Sequence, residues 1–273
     1  MRRVALDHVG VVARDLPAVA AQYEQLGFTL TPLSLQAEGR VGNRCVMLRG
    51  TYLELLAVVD PIRGSATLNR FLARYAGVHI VACSTDDSSA ELTRLQRAGV
   101  AAPAITHSKR AVDAADPAGP QAEFALIQLP DQPEGRFNLV RHLTDALWQD
   151  RFLRHPNNAT TLEAVDLVVQ DVWDTAARLS RLIGCVATPD LAGSVVLTLA
   201  HGIVHLLPPD GGCAVAPRIS GLRLRTSDGN AALRRRLIAR TVAYQADGDA
   251  LVVPAPVAGG VTMRFLPGDM RAF

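Results

Sequence analysis

A strand-length apolar run, a helix-length segment and three further strand-length runs recur four times along the 273 residues, and this repeat limits the fold more than any other feature. The first unit reads as a strand over 4–13, a helix over 15–26, and strands near 28–37, 44–49 and 51–58. Asp15 suits the helix N-cap, Pro17 its first turn and Gly27 its stop. The second unit has a strand over 78–84, a helix closed by Gly99, and strands near 101–107, 122–129 and 136–142. A third opens at LEAVDLVVQDV, with a helix over 172–183, Gly184 as its stop, and strands near 186–190, 194–199 and 202–207. A fourth opens at ISGLRLRTSD, with a helix over 229–239 and strands near 241–246, 249–253 and 260–266.

One such unit is too small to bury a sheet face alone. Two can curl into an eight-stranded cup with helices outside, so the strands are apolar on both faces. The expected class is therefore α+β: four βαβββ modules paired into two eight-stranded, cup-shaped domains. The segment at 143–160 lacks strand alternation, so the domains are expected at 1–145 and 146–273.

Aligning the helix starts tests the repeat. Asp15, Asp86, Asp171 and Asp228 each follow a first strand. The 71 residues from Asp15 to Asp86 carry His8 onto His79; the later units have Ala164 and Gly221 there. The last strands align as Leu53-Glu54-Leu55, Val140-Arg141-His142, Val204-His205-Leu206 and Met263-Arg264-Phe265. Alternation sends Glu54 into the cup, where a lone carboxylate is costly unless paired or metal-bound.

The stretches LDHVGVVARDLPAVAAQYEQLGF (6–28) and GNRCVMLRGTYLELL (42–56), with the repeated unit, resemble the vicinal oxygen chelate superfamily of glyoxalases, bleomycin-resistance proteins and extradiol dioxygenases. The segment RHLTDALWQDRFLRHPNNA (141–159) resembles its glyoxalase-like-domain branch. The resemblance implies a divalent metal in the cup, held from the first and last strands of paired modules. Carried over, those positions are His8, Glu54, His79 and Arg141. A guanidinium offers no lone pair, so the implied ligands are His8, Glu54 and His79, for Fe2+, Mn2+, Zn2+ or Ni2+. Arg141 is then a partner for Glu54 or for an anionic substrate group. If the strand register is one residue off, Arg141 faces solvent and His142 enters the cup. His107 or His142 stands as a candidate acid or base.

Two functions follow from the resemblance. One is a metal-dependent enzyme acting on a small oxygen-rich substrate, of lyase, isomerase or dioxygenase type, with Glu54, His107 and Arg141 as candidate catalytic residues. The other is a small-molecule-sequestering protein. A net charge of +2 with scattered arginines argues against a nucleic-acid partner. No apolar run is long enough to span a membrane. Cys45, Cys83, Cys185 and Cys213 form no C-x-x-C pair, and the first three lie in apolar segments, so a reducing cytoplasm is expected. A monomer or a homodimer is expected, since two fused cups supply the pairing internally. In the second domain His205 sits where the first has Glu54, but Ala164 and Gly221 cannot ligate, so no metal is expected there.

Overall fold

The computed structural model describes residues 4–101, 104–210 and 216–268; Cys213 lies outside them. Its strands form two eight-stranded sheets. The first contains β1 (Ala5–Val12), β2 (Ser34–Gln36), β3 (Val41–Met47), β4 (Tyr52–Val58), β5 (Gly77–Ser84), β6 (Thr106–Ala111), β7 (Gln121–Gln128) and β8 (Arg136–His142), in the order β2-β3-β4-β1-β5-β8-β7-β6. The second contains β9 (Ala159–Val168), β10 (Val186–Pro189), β11 (Val195–Thr198), β12 (Ile203–Leu207), β13 (Arg218–Thr226), β14 (Gln245–Asp247), β15 (Ala250–Val253) and β16 (Thr262–Leu266). Its order, β10-β11-β12-β9-β13-β16-β15-β14, is that of the first sheet. In each sheet the two central strands run antiparallel, and each pairs in parallel with the last strand of its own unit. This is the expected α+β architecture of two vicinal oxygen chelate cups.

The helices are α1 (Leu16–Gln25), α2 (Ala66–Leu72), α3 (Ser88–Arg97), α4 (Val172–Ile183) and α5 (Ala231–Ala239). Asp15 caps α1 through a bond from the Ala18 amide, and Asp171 caps α4. The cap of α3 is Asp87, which accepts from the Ala90 amide, rather than Asp86. Asn230, with a left-handed backbone, precedes α5. The sequence reading has no α2, and it places β6 several residues too early.

Helices and outer sheet faces share one apolar core that crosses between the sheets. Tyr23, Phe28, Leu95, Leu179, Leu224 and Phe265 belong to it, all nearly or fully buried. Polar clasps reinforce the junction. Arg94 donates to the carbonyls of Arg181 and Leu182, and Arg236 to those of Glu24 and Gln25. The buried His155 accepts from the Thr29 amide at 3.0 Å, and its Nε2 donates to the Met47 carbonyl at 2.7 Å. Such breadth of burial makes the two sheets one packed body rather than two independent ones.

Candidate functional site

The inner face of the first sheet encloses a cavity of about 360 Å³, lined among others by His8, Tyr52, Glu54, Arg110 and Asn138. That volume suits a small organic molecule. At the edges, β2 and β6 draw together. Arg110 donates to the Ser34 hydroxyl at 3.0 Å, and Ser34 donates to the Ala111 carbonyl at 2.6 Å. The short helix α2 covers one side, where Ser65, Thr67 and Leu68 complete the lining. Gly10 keeps the floor open: a Cβ there would lie 2.9 Å from the Ile80 Cβ.

Two bulges decide which side chains face this space. Between β1 and β5, the pairing skips Asp7 and, 72 residues later, His79. The same interval separates the caps Asp15 and Asp87. The repeat-equivalent of His8 is therefore Ile80, which lines the cavity with it. On the parallel partners, Gly10 pairs with Glu54 and Ala82 with Asn138. The counterpart of Glu54 is thus Asn138, not Arg141.

His8 stacks on Tyr52 with ring centroids 4.3 Å apart. Its Nδ1 meets the Asp7 carboxylate at 2.5 Å, and the His142 Nε2 meets the same carboxylate at 3.0 Å. Burial alone would raise the Asp7 carboxyl; hydrogen bonds from His142 and His8 outweigh it and hold the group below its usual range. An ionised Asp7 accepts, so Nδ1 of His8 carries the proton and Nε2 is the nitrogen left for a molecule in the cavity. His142 packs edge-on against Phe124 and Trp148, behind the cavity wall. Arg141 is exposed, and His142 is half-buried on Asp7 without lining the cavity.

Glu54 is buried beside a cation. Its Oε1 accepts from Gln36 at 2.7 Å and from Asn43 at 2.5 Å, and Arg110 Nη2 lies 3.5 Å away. The Arg110 side chain is 8% exposed and lies over the Phe124 ring. Burial alone would make its guanidinium a stronger acid; Cys45, Glu54 and Tyr52 outweigh that and hold it charged.

His79 does not join this group. It is fully buried between Phe71 and Tyr75, with centroids 4.8 and 4.0 Å away, and its Nε2 donates to the Tyr75 carbonyl at 2.9 Å. Burial pushes its imidazole down to about 4. His107 is exposed on β6 and does not line the cavity. Thus the structure brings His8 and Glu54 together and places His79, His107 and Arg141 elsewhere. In the second sheet, His205 joins Arg223 and Ser194, and Arg223 pairs with Asp166 at 2.8 Å.

The cup's donor set fits a three-ligand divalent metal poorly. A site for Fe2+ or Zn2+ needs a third imidazole, thiolate or carboxylate. The counterpart positions carry Ile80 and Asn138, and a fixed guanidinium adjoins the carboxylate. Among the described residues, no group of three or more His, Cys, Asp or Glu is arranged to hold a metal ion.

Sequence reasoning missed Asp7 and Arg110. Asp7 reaches the inner side only because of the bulge. Arg110 lies beyond the expected end of its strand, although Ser108 and Arg110 at alternate positions would have shown a shared face.

A sequence profile described as a glyoxalase-like domain matches residues 6–183. No curated protein matches the chain. Among solved structures, a hypothetical protein from Staphylococcus aureus is similar, with a TM-score of 0.73 at 12% identity over 97% of this chain and 100% of that one. A catechol 2,3-dioxygenase has a TM-score of 0.64 at 13% identity, covering 98% of this chain and 89% of that one. A Mn(II)-bound glyoxalase from Novosphingobium aromaticivorans has 0.61 at 14% identity, covering 98% and 83%. At such identities the likeness is one of fold.

Proposed function

The chain belongs to the glyoxalase-like domain family of the vicinal oxygen chelate superfamily, and on that premise we propose that its N-terminal cup, within residues 1–145, is an active site for a small oxygen-rich organic molecule. The reaction is of the lyase or isomerase type, and His8 moves the proton. One observation carries this reading: a cavity-lining imidazole whose second nitrogen is held by a buried carboxylate. That is the arrangement of a general base, because the carboxylate sets the tautomer and stabilises the imidazolium that forms. Nε2 of His8 takes a proton from carbon beside a carbonyl, and Arg110 faces the charge left on oxygen. Ring-cleaving dioxygenation, by contrast, calls for a redox metal on a fuller donor set than His8 and Glu54.

The test is proton exchange. Enolisable 2-oxo and 2-hydroxy acids are incubated with the protein in D2O, and loss of the C–H signal is followed by NMR. Wild type exchanges at least one of them, and His8→Gln binds it without exchange. Binding with no exchange by wild type overturns the catalytic reading in favour of ligand capture. Exchange unaffected by His8→Gln removes His8 from the chemistry.

A further inference from the structure

We infer that the guanidinium of Arg110 stands where relatives would place a metal ion, and that it selects a small organic carboxylate as the ligand of this cup. The inference deepens the reading above and rests on the cup being the ligand site. Three observations support it.

The first is the register. The two positions that would complete a metal shell opposite His8 and Glu54 are Ile80 and Asn138, a hydrocarbon and a neutral amide. Neither replaces a missing imidazole or carboxylate in binding a first-row divalent ion. The second is the placement of the cation. Arg110 reaches inward from β6, tied by Ser34 on the facing sheet edge and braced over Phe124. A guanidinium held in this way is pre-organised, so little freedom is lost when its fork meets a carboxylate. It also repels a second cation from the space beside Glu54, at a separation where an ion pair in a partly buried setting is strong.

The third is charge balance. The cavity lining includes the cationic Lys109, Arg110 and Arg136 against Glu54 as its carboxylate. Lys109 and Arg136 also pair with Glu123 and Asp131, neither of which lines the cavity. Each of the three cations thus has a carboxylate partner, but only Glu54 among those partners lines the cavity, so an anion bound there faces three cationic side chains and one carboxylate.

The experiment uses isosteric pairs: malonate against malonamide and benzoate against benzamide, added to the full chain at millimolar concentration and followed by ligand-observed NMR and calorimetry. At least one anion binds, its neutral amide binds at least about tenfold more weakly, and Arg110→Gln weakens the anion by a similar factor. Because Arg110→Gln leaves Glu54 buried without its cation, the double variant Glu54→Gln/Arg110→Gln serves as the folded control and shows the same loss. Glu54→Gln alone keeps or tightens anion binding, since it removes a like charge.

Equal binding of acids and amides, or no binding of either anion, overturns the inference. So does loss of anion binding in Glu54→Gln, or stoichiometric uptake of Mn2+, Zn2+, Ni2+ or anaerobic Fe2+ that survives desalting and disappears in Glu54→Gln. Failure of the catalytic reading looks different: anions bind through Arg110, yet His8→Gln changes no exchange rate.

Discussion

His79 is the residue whose sequence position most suggests a ligand and whose surroundings least allow it, and its titration separates the two roles. The ring lies between Phe71 and Tyr75, fully buried, and its imidazole is pushed from the usual 6.5 down to about 4. Burial is the main cause, the neighbouring Arg74 charge adds to it, and the hydrogen bond to the Tyr75 carbonyl opposes it. The folded chain therefore resists a proton that the unfolded chain accepts. Stability is whole above pH 6.5, falls as pH drops below it, and stops falling near pH 4. At pH 5 the loss from this one group is about 2 kcal/mol. His79→Gln keeps an N–H for the Tyr75 carbonyl but does not titrate. At pH 7.5 the variant is less stable by about 1 kcal/mol, for the lost ring contacts. Urea unfolding at pH 7.5 and pH 5 reads the gap between wild type and variant. It shifts by about 2 kcal/mol in favour of the variant, enough to make the variant the more stable protein at pH 5. A gap that stays constant, or moves the other way, would refute the buried, neutral imidazole.

Further outcomes are expected. Removing one member of the Glu54–Arg110 pair strands a buried charge, so Arg110→Gln loses about 3 kcal/mol in urea unfolding, whereas Glu54→Gln/Arg110→Gln lies within about 1 kcal/mol of wild type; additive losses would show that the two do not interact. Gly10→Val drives a side chain into Ile80 and costs about 1–3 kcal/mol by the same assay; an unchanged midpoint would mean that the floor can yield. Asp7→Asn removes the carboxylate behind His8 and lowers the proton-exchange rate by about 100-fold or more, with ligand affinity nearly kept; an unchanged rate would remove Asp7 from the positioning of His8.

The cup architecture was legible because four helices and their flanking strands repeat one pattern and glycines mark their ends. The face assignments were less so. Asp86 and Asp87 stand side by side, and only the second accepts from the Ala90 amide. A one-residue difference in the cap moves the alignment from His79 to Ile80, and strand alternation then exchanges an inner for an outer position. The bulges at Asp7 and His79 depend on pairing between distant strands, which no local pattern reveals. The last strand shows the same sensitivity: matching apolar flanks points to Arg141, whereas the sheet register puts Asn138 at the position equivalent to Glu54. His8 and Glu54 line the cavity, in keeping with strand alternation: Val9 beside His8, and Leu53 and Leu55 on either side of Glu54, go to the apolar core.

The most direct test of the account labels the seven histidines with 15N and follows their ring signals as benzoate or malonate is added. The account predicts that the His8 ring responds first, in step with occupancy of the Arg110 site, while His79 and His107 stay unchanged. Movement of His79 or His107 with His8 silent would contradict it.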